Sequence, residues 1–282
     1  MKVLVLGASG MLGNAMLRVL SETMDVHGTA RSKLVTRHFA PHLRDRIITG
    51  IDVENHDTLV DLLQKVRPDV VVNCIGLVKQ LADADDPLSA LPINSLLPHR
   101  LARLCALSQA RLVHISTDCV FSGTRGGYLE SDVSDATDLY GKSKYIGEVD
   151  YPNAITLRTS IIGHELEGAH GLVGWFLSQE GTVKGFSRAI FSGLPTVELA
   201  RVVRDVVIEK PDLTGVYHVA SASISKLDLL KLVAATYGKA IDIVPDDAIV
   251  IDRSLNADRF QAATAYKAPS WPELVKAMHA FR

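Results

Sequence analysis

Short apolar runs alternate with longer amphipathic segments through the first half of the chain. Lys2–Leu6 (KVLVL) is apolar after its lysine and too short for a helix. Beyond a glycine-rich turn, Met11, Leu12, Met16 and Leu20 recur at roughly helical spacing, predicting a helix over Met11–Leu20. Val26–Thr29 and Ile47–Ile48 read as short strands. Leu59, Leu62, Leu63 and Val66 make one helical stripe that stops ahead of Pro68, whose ring disfavours helix in the residue before it. Val70–Ile75 is apolar on both faces, as a buried parallel strand should be. Leu96–Leu107 reads as a helix and Arg111–Ile115 as the next strand. This repeated strand–helix rhythm predicts an α/β protein with a doubly wound parallel sheet of Rossmann type.

From about Asn153 the rhythm loosens. Ile155–Ser160 is strand-like, Gly163, Gly168, Gly171 and Gly174 punctuate the next stretch, and Glu198–Ile208 and Lys226–Tyr237 are helix-like. The expected organisation is a dinucleotide-binding domain over residues 1–152 and a smaller, partly interleaved substrate-binding lobe over residues 153–282. Some segments of that lobe are expected to return to the sheet. A chain of 282 residues accommodates one large domain or two modest ones.

Composition removes several function classes. With 30 basic and 32 acidic side chains the formal charge is −2, so no basic surplus points to nucleic acid or an anionic membrane. The uncharged stretch Val3–Leu17 contains three glycines and falls short of the roughly 20 apolar residues a spanning helix needs. Lys2 ahead of an apolar run raises a signal peptide, but glycines break the run and no small-residue cleavage site follows cleanly. Cys74, Cys105 and Cys119 are too few and too scattered for a disulfide framework. The histidines lack ligand spacing, and no metal site is expected. A reducing cytoplasm is the expected compartment.

Four local patterns carry chemistry. Gly7-Ala8-Ser9-Gly10-Met11-Leu12-Gly13 lies between the first strand and the first helix. Small residues there let the backbone turn tightly and approach a pyrophosphate, whose charge then faces a helix N-terminus. The second strand ends in Gly28-Thr29-Ala30-Arg31-Ser32-Lys33, without the acid that binds the ribose hydroxyl in NAD sites. Arg31, backed by Ser32, suits the 2′-phosphate of NADP instead; the alternative is a solvated loop charge. Tyr140 and Lys144 stand four apart, hence on one face of a helix. An ammonium beside the phenol would lower its pKa and ready it to pass a proton to a carbonyl. Upstream, Ser116-Thr117-Asp118 closes the fifth strand, where open α/β sheets bind ligands. Its hydroxyls could bond that carbonyl or simply satisfy a turn.

Together these patterns, with Asn73-Cys74-Ile75-Gly76, Asn94, Val120-Phe121, Lys144-Tyr145-Ile146-Gly147-Glu148 and Leu157-Arg158-Thr159-Ser160, resemble an extended short-chain dehydrogenase/reductase. Within that superfamily the chain is most similar to the dTDP-4-dehydrorhamnose reductase branch. The resemblance implies Thr117, Tyr140 and Lys144 as the catalytic set. It implies a cofactor site of Gly7, Ser9, Gly10, Met11, Leu12, Gly13, Arg31, Ser32, Cys74, Ile75 and Gly76 with Tyr140 and Lys144, and Asp52 and Val53 near the adenine. Thr117, Asp118, Cys119, Val120, Arg158 and Trp175 are the expected substrate contacts, although Trp175 or Phe176 could equally be core. The implied reaction is NADPH-dependent reduction of a nucleotide-activated 4-keto-6-deoxy sugar, feeding cell-surface polysaccharide synthesis, with NAD the alternative cofactor. Cys119 departs from the branch, which usually has tyrosine there. A dehydratase would carry a second acid at that position. An epimerase with bound NAD and a non-catalytic NADP-binding regulatory subunit are the rival readings. The sequence leaves open the sugar, the nucleotide and whether the chain is a homodimer.

Overall fold

The computed structural model describes residues 1–77 and 85–282. Its centre is a seven-stranded sheet: β1 (Lys2–Leu6), β2 (Asp25–Ala30), β3 (Ile47–Thr49), β4 (Val70–Asn73), β5 (Arg111–Thr117), β6 (Ala154–Thr159) and, later in the chain, Gly215–His218. Every neighbouring pair in it is parallel. β1 is flanked by β2 on one side and β4 on the other, so the strand order reverses beside β1. That crevice, outside the carboxyl ends of the strands, is where such sheets hold ligands.

Helices α1 (Met11–Leu20), the one-turn α2 (Pro41–Arg44), α3 (His56–Val66), α4 (Pro87–Ala90), α5 (Leu97–Leu107) and α6 (Leu139–Ile146) intervene. α4 runs through a π-helical turn, Leu91–Leu96, into α5. The double burial of the strands explains why they read as continuous apolar runs. Val3 and Val5 join the core under α1, whereas Leu4 and Leu6 join the opposite core with Leu59 and Leu63 of α3 and Leu101 of α5. β4 ends at Asn73, short of the expected Ile75, because the Asn73 side-chain oxygen accepts the Ile75 N–H at 3.1 Å and turns the chain. β5 runs on past Ile115 to Thr117.

The second half has no comparable grammar. β7 (Ile161–Ile162), β8 (Thr182–Phe186), β9 (Ala189–Phe191), β10 (Leu194–Pro195), β11 (Gly215–His218), β12 (Ile224–Ser225), β13 (Asp242–Asp246) and β14 (Ile251–Asp252) are mostly two to five residues long. β7 pairs with β10, β8 with β13, and β9 lies between β12 and β14. Helices α7 (Leu172–Ser178), α8 (Thr196–Val202), α9 (Lys226–Tyr237), α10 (Asp258–Thr264) and α11 (Trp271–Ala280) surround them. α8 packs on α1 and turns into a π-helical segment, Val203–Val207, within the stretch read as one helix. β6 and β11 form one margin of the central sheet, and side chains close its rim. Glu130 accepts the His218 N–H at 2.8 Å, and Arg259 donates to the Val216 carbonyl at 3.0 Å. Among the described residues no helix is long and apolar enough to cross a membrane, and no cluster of His, Cys, Asp or Glu could hold a metal ion.

Candidate active site

One half of the site is made of backbone. Gly7 turns the chain out of β1 at φ +81°, and a β-carbon there would sit 2.9 Å from Ile75, which passes beneath it. A β-carbon on Gly13 would come within 2.0 Å of the Gly7 carbonyl oxygen, so the first turn of α1 presses directly on the loop. Gly10 differs: a β-carbon there meets nothing nearer than 3.5 Å. Its smallness leaves space above the loop, as close approach of a ligand requires. No side chain caps α1 and no acid lies in its first turn. The free N–H groups and the positive end of the helix dipole therefore face that space.

The other carboxyl-end loops border the same turn. The Ala8 N–H donates to the Thr29 carbonyl at 2.8 Å and the Gly7 N–H to the Thr29 hydroxyl at 3.1 Å, fastening the loop to β2. Arg31 follows β2 and is exposed. Ser32 caps the next short helical segment by accepting the Leu34 N–H at 3.1 Å. Asp52 follows β3 and accepts the Glu54 N–H at 3.0 Å, while Val53 leans on the core. Cys74, Ile75 and Gly76 leave β4 half-buried. Burial pushes the Cys74 thiol up to about 12, which makes it an inert packing group.

The other half is made of side chains. Thr117 ends β5; its hydroxyl oxygen accepts the Cys119 N–H at 3.1 Å and it donates to Asp118 at 3.2 Å. Tyr140 stands close enough to Thr117 for that hydroxyl to act on its phenol. Burial raises the phenol far above its usual range, the nearby Cys119 adds to this, and Thr117 pulls the other way. This reverses the expectation that Lys144 would lower it. The Lys144 ammonium instead donates to the Ile115 carbonyl at 2.9 Å. Burial lowers the Lys144 ammonium to about 8, opposed by Glu148 and Cys74. At neutral pH Tyr140 is therefore a protonated acid, one helical turn from the buried Lys144.

Asn94, on the π-helical turn, holds these parts together. It accepts the Leu77 N–H at 2.9 Å, and its amide donates to the Leu77 carbonyl and the Ser143 hydroxyl, both at 3.1 Å. Such turns recur at functional sites, but no hydrophobic period announces one. Ser143 lies between Tyr140 and Lys144, so Asn94 ties helix α6 to the loop after β4.

Two expected substrate contacts lie elsewhere. Arg158 is buried within the sheet: its Nε and Nη2 each donate to a Glu148 oxygen at 2.7 Å, and Nη1 meets His218 at 3.2 Å. Ser116 donates to the same carboxylate at 2.7 Å. A buried guanidinium needs such a partner, and that partner turns it away from solvent. Val120 is also no contact surface; it is fully buried with Phe121, Tyr128, Ala220 and Leu255. Asp118 is buried beside Thr117, Cys119 is half-buried, and Trp175 is 38% exposed on α7 while Phe176 enters the core. His114 is buried against Asn73 at 3.1 Å, a packed residue rather than a base.

Comparison with known proteins agrees in sequence and shape. The family model described as the RmlD substrate binding domain matches residues 1–279. A probable low-salt glycan biosynthesis reductase of Haloferax volcanii is 28% identical over 92% of this chain and 85% of its own. A dTDP-4-keto-6-deoxy-D-glucose reductase of Streptomyces niveus is 30% identical over 78% of this chain and 72% of its own. The crystal structure of dTDP-4-dehydrorhamnose reductase from Bacillus anthracis, in complex with NADP, superposes with a TM-score of 0.80. It shares 22% identity, with 100% of this chain and 99% of that chain covered.

Proposed function

This chain belongs to the RmlD substrate-binding-domain family, a branch of the extended short-chain dehydrogenases/reductases, and from that premise we propose that it reduces the 4-keto group of a nucleotide-linked 6-deoxy sugar with NADPH, for cell-surface polysaccharide. The observation that carries the reading is the convergence of Thr117 at the end of β5 with Tyr140 and buried Lys144 on α6, whose ammonium is fixed on the Ile115 carbonyl of that strand at 2.9 Å.

The site fits a dinucleotide. The uncapped start of α1 and the clearance over Gly10 would take the pyrophosphate, and exposed Arg31 the 2′-phosphate. NADPH bound there supplies the hydride. A ketone that gains hydride at carbon needs a proton at oxygen, and Tyr140 provides it from its phenol. Thr117 hydrogen-bonds the same oxygen and fixes its direction. As Tyr140 gives up its proton, the Lys144 charge offsets the phenolate left behind. The product is the 4-hydroxy sugar. Arg31, in place of an acid, favours a reductase over an enzyme that recycles bound NAD. Three free cysteines suit a cytoplasmic enzyme.

The test is incubation with NADPH and a panel of nucleotide-linked 4-keto-6-deoxy sugars. NADPH absorbance should fall in step with formation of the 4-hydroxy product. Unchanged absorbance across the whole panel overturns the reading.

A further inference from the structure

A cavity of about 100 Å³ lies against the flank of α1, and none of the residues assigned above to cofactor or sugar lines it. Asn14 and Arg18 enter it from α1, four residues apart and so on one face of that helix. His164 enters from the turn after β7, Thr196 from the start of α8, and Arg282 from the segment after α11. Gly163 lets the turn after β7 press close, since a β-carbon there would lie 2.5 Å from the Thr196 hydroxyl oxygen.

The polar groups of this cavity lack partners. Asn14 is 6% exposed and Thr196 4%, yet among the described residues neither side chain has a hydrogen-bond partner. Their polar atoms are not sealed in packing, so they open on the cavity that both residues line. A buried amide or hydroxyl left unpaired in a native fold calls for an explanation. The Arg18 guanidinium lies over the Phe281 ring, 3.8 Å from its centroid, and among the described residues none of its donors is bonded to the protein. Glu22, one turn along the same helix, pairs with Arg204 instead. His164 meets the Tyr237 hydroxyl through Nε2 at 2.8 Å. Burial and the charges of Arg282, His279 and Arg18 hold this histidine below its ordinary pKa, so cationic groups crowd one wall. Glu165 is the acid in the lining, and its Oε2 is taken up at the start of α7, where it accepts the Gly171 N–H at 2.9 Å.

We propose that this cavity is a binding site for a phosphate group, held by Arg18, Asn14, Thr196 and Arg282. Donors that arrive from α1, α8 and the segment after α11 surround a centre, which suits a tetrahedral anion better than a planar carboxylate with two oxygens in one plane. A forked guanidinium with unused donors matches phosphate oxygens in geometry and charge. The volume equals that of about three waters at roughly 30 Å³ each, enough for the five heavy atoms of a phosphate and little more. Any organic remainder would have to leave past Arg282, which is exposed. A phosphate seated there would join α1, α8 and α11 at one point and stabilise the fold by mass action. The assignment does not rest on the reductase reading, because it uses none of the residues of that site.

The experiment titrates inorganic phosphate, glycerol 3-phosphate and acetate into the protein by calorimetry, at one ionic strength set with chloride. An excess of NADPH keeps the positions proposed for the cofactor's own phosphates filled. Wild type should bind inorganic phosphate at one site with a Kd of about 1 mM or tighter, and Tm should climb with its concentration. Arg18→Gln should weaken phosphate by about ten- to a hundred-fold and Thr196→Val by about ten-fold, with NADPH affinity unchanged. Asn14→Leu, close in shape, should weaken phosphate by about ten-fold as well. In chloride alone its Tm should equal or exceed that of wild type, because the unpaired amide is gone. Uptake of glycerol 3-phosphate as tight as that of inorganic phosphate assigns the site to the end of an organic phosphate; uptake of inorganic phosphate alone assigns it to the free ion. A wild type that takes up no phosphate at about 10 mM, ten times the expected Kd, overturns the proposal. So do acetate bound as tightly as phosphate, and equal phosphate affinities in wild type and the folded variants.

Discussion

The two halves of the site are built from different material. On the cofactor side the surface is backbone: a loop between β1 and α1 whose shape depends on what Gly7, Gly10 and Gly13 lack. On the proposed substrate side it is side chains, Thr117, Tyr140 and Lys144, on a strand and a helix whose neighbouring residues Ser116 and Ser143 are fastened by Glu148 and Asn94. A backbone surface of this kind leaves no room for a β-carbon at Gly7 or Gly13 and is specified within seven consecutive residues. A side-chain surface can be changed one residue at a time while the fold stays as it is. One fold can therefore keep its redox partner and change its substrate.

The contrast can be broken most sharply at Tyr140. Tyr140→Phe should keep Tm and NADPH affinity while kcat falls by about 10² to 10⁴, the usual worth of a positioned acid. Turnover within about threefold of wild type would leave the side-chain half without its proton donor. Next in size is Arg31→Asp, at the exposed side chain proposed for the 2′-phosphate. NADPH should weaken by about ten- to a hundred-fold while NADH hardly changes. Wild-type protein that binds both cofactors equally would reduce Arg31 to a surface charge.

The glycines sharpen the contrast further. In Gly13→Ala the new methyl meets the Gly7 carbonyl, and overpacking of this kind costs about 1–3 kcal/mol, visible in Tm. Gly10→Ala should leave Tm in place and weaken NADPH, because the space it fills belongs to the ligand. Equal losses of Tm in the two variants would show that both glycines serve packing alone. The smallest effect is in the pH profile. The folded ammonium of Lys144 is depressed to about 8, so it is charged below that pH and neutral above it. Turnover should decline as pH rises through about 8, when phenolate formation loses its counter-charge. A flat profile from pH 7 to 10 (roughly the span between the depressed and ordinary lysine values) would remove Lys144 from that role.

What the sequence made legible follows the same division. The glycine turn, Thr117 and the Tyr140/Lys144 pair are local patterns, and β1, β4 and α3 announce themselves because sheet strands buried on both faces and one-sided helices leave different periods. Arg158 was misplaced because its partner Glu148, just past the end of α6, is fixed by tertiary pairing. Val120 was misplaced because the segment after β5 dips into a small core with Leu255. The bond from Arg253 to the Phe121 carbonyl was invisible: Arg253 lies 132 residues further on, in a lobe whose two- and three-residue strands carry no period at all.

The placement of β6 and β11 at one margin of the sheet sets an order for making the protein. A ribosome delivers β1 to β5 first, while the second partner of β5 is still to come. β6 is buried along its whole length once paired, and before β11 arrives its outer edge is a sticky row of unpaired backbone groups. Closure waits further still for Arg259, which with Glu130 blocks the last edge. A fragment cut after residue 152 would therefore be a sheet with an open side rather than a free-standing cofactor module, and the substrate lobe cannot be exchanged as a cassette at that point.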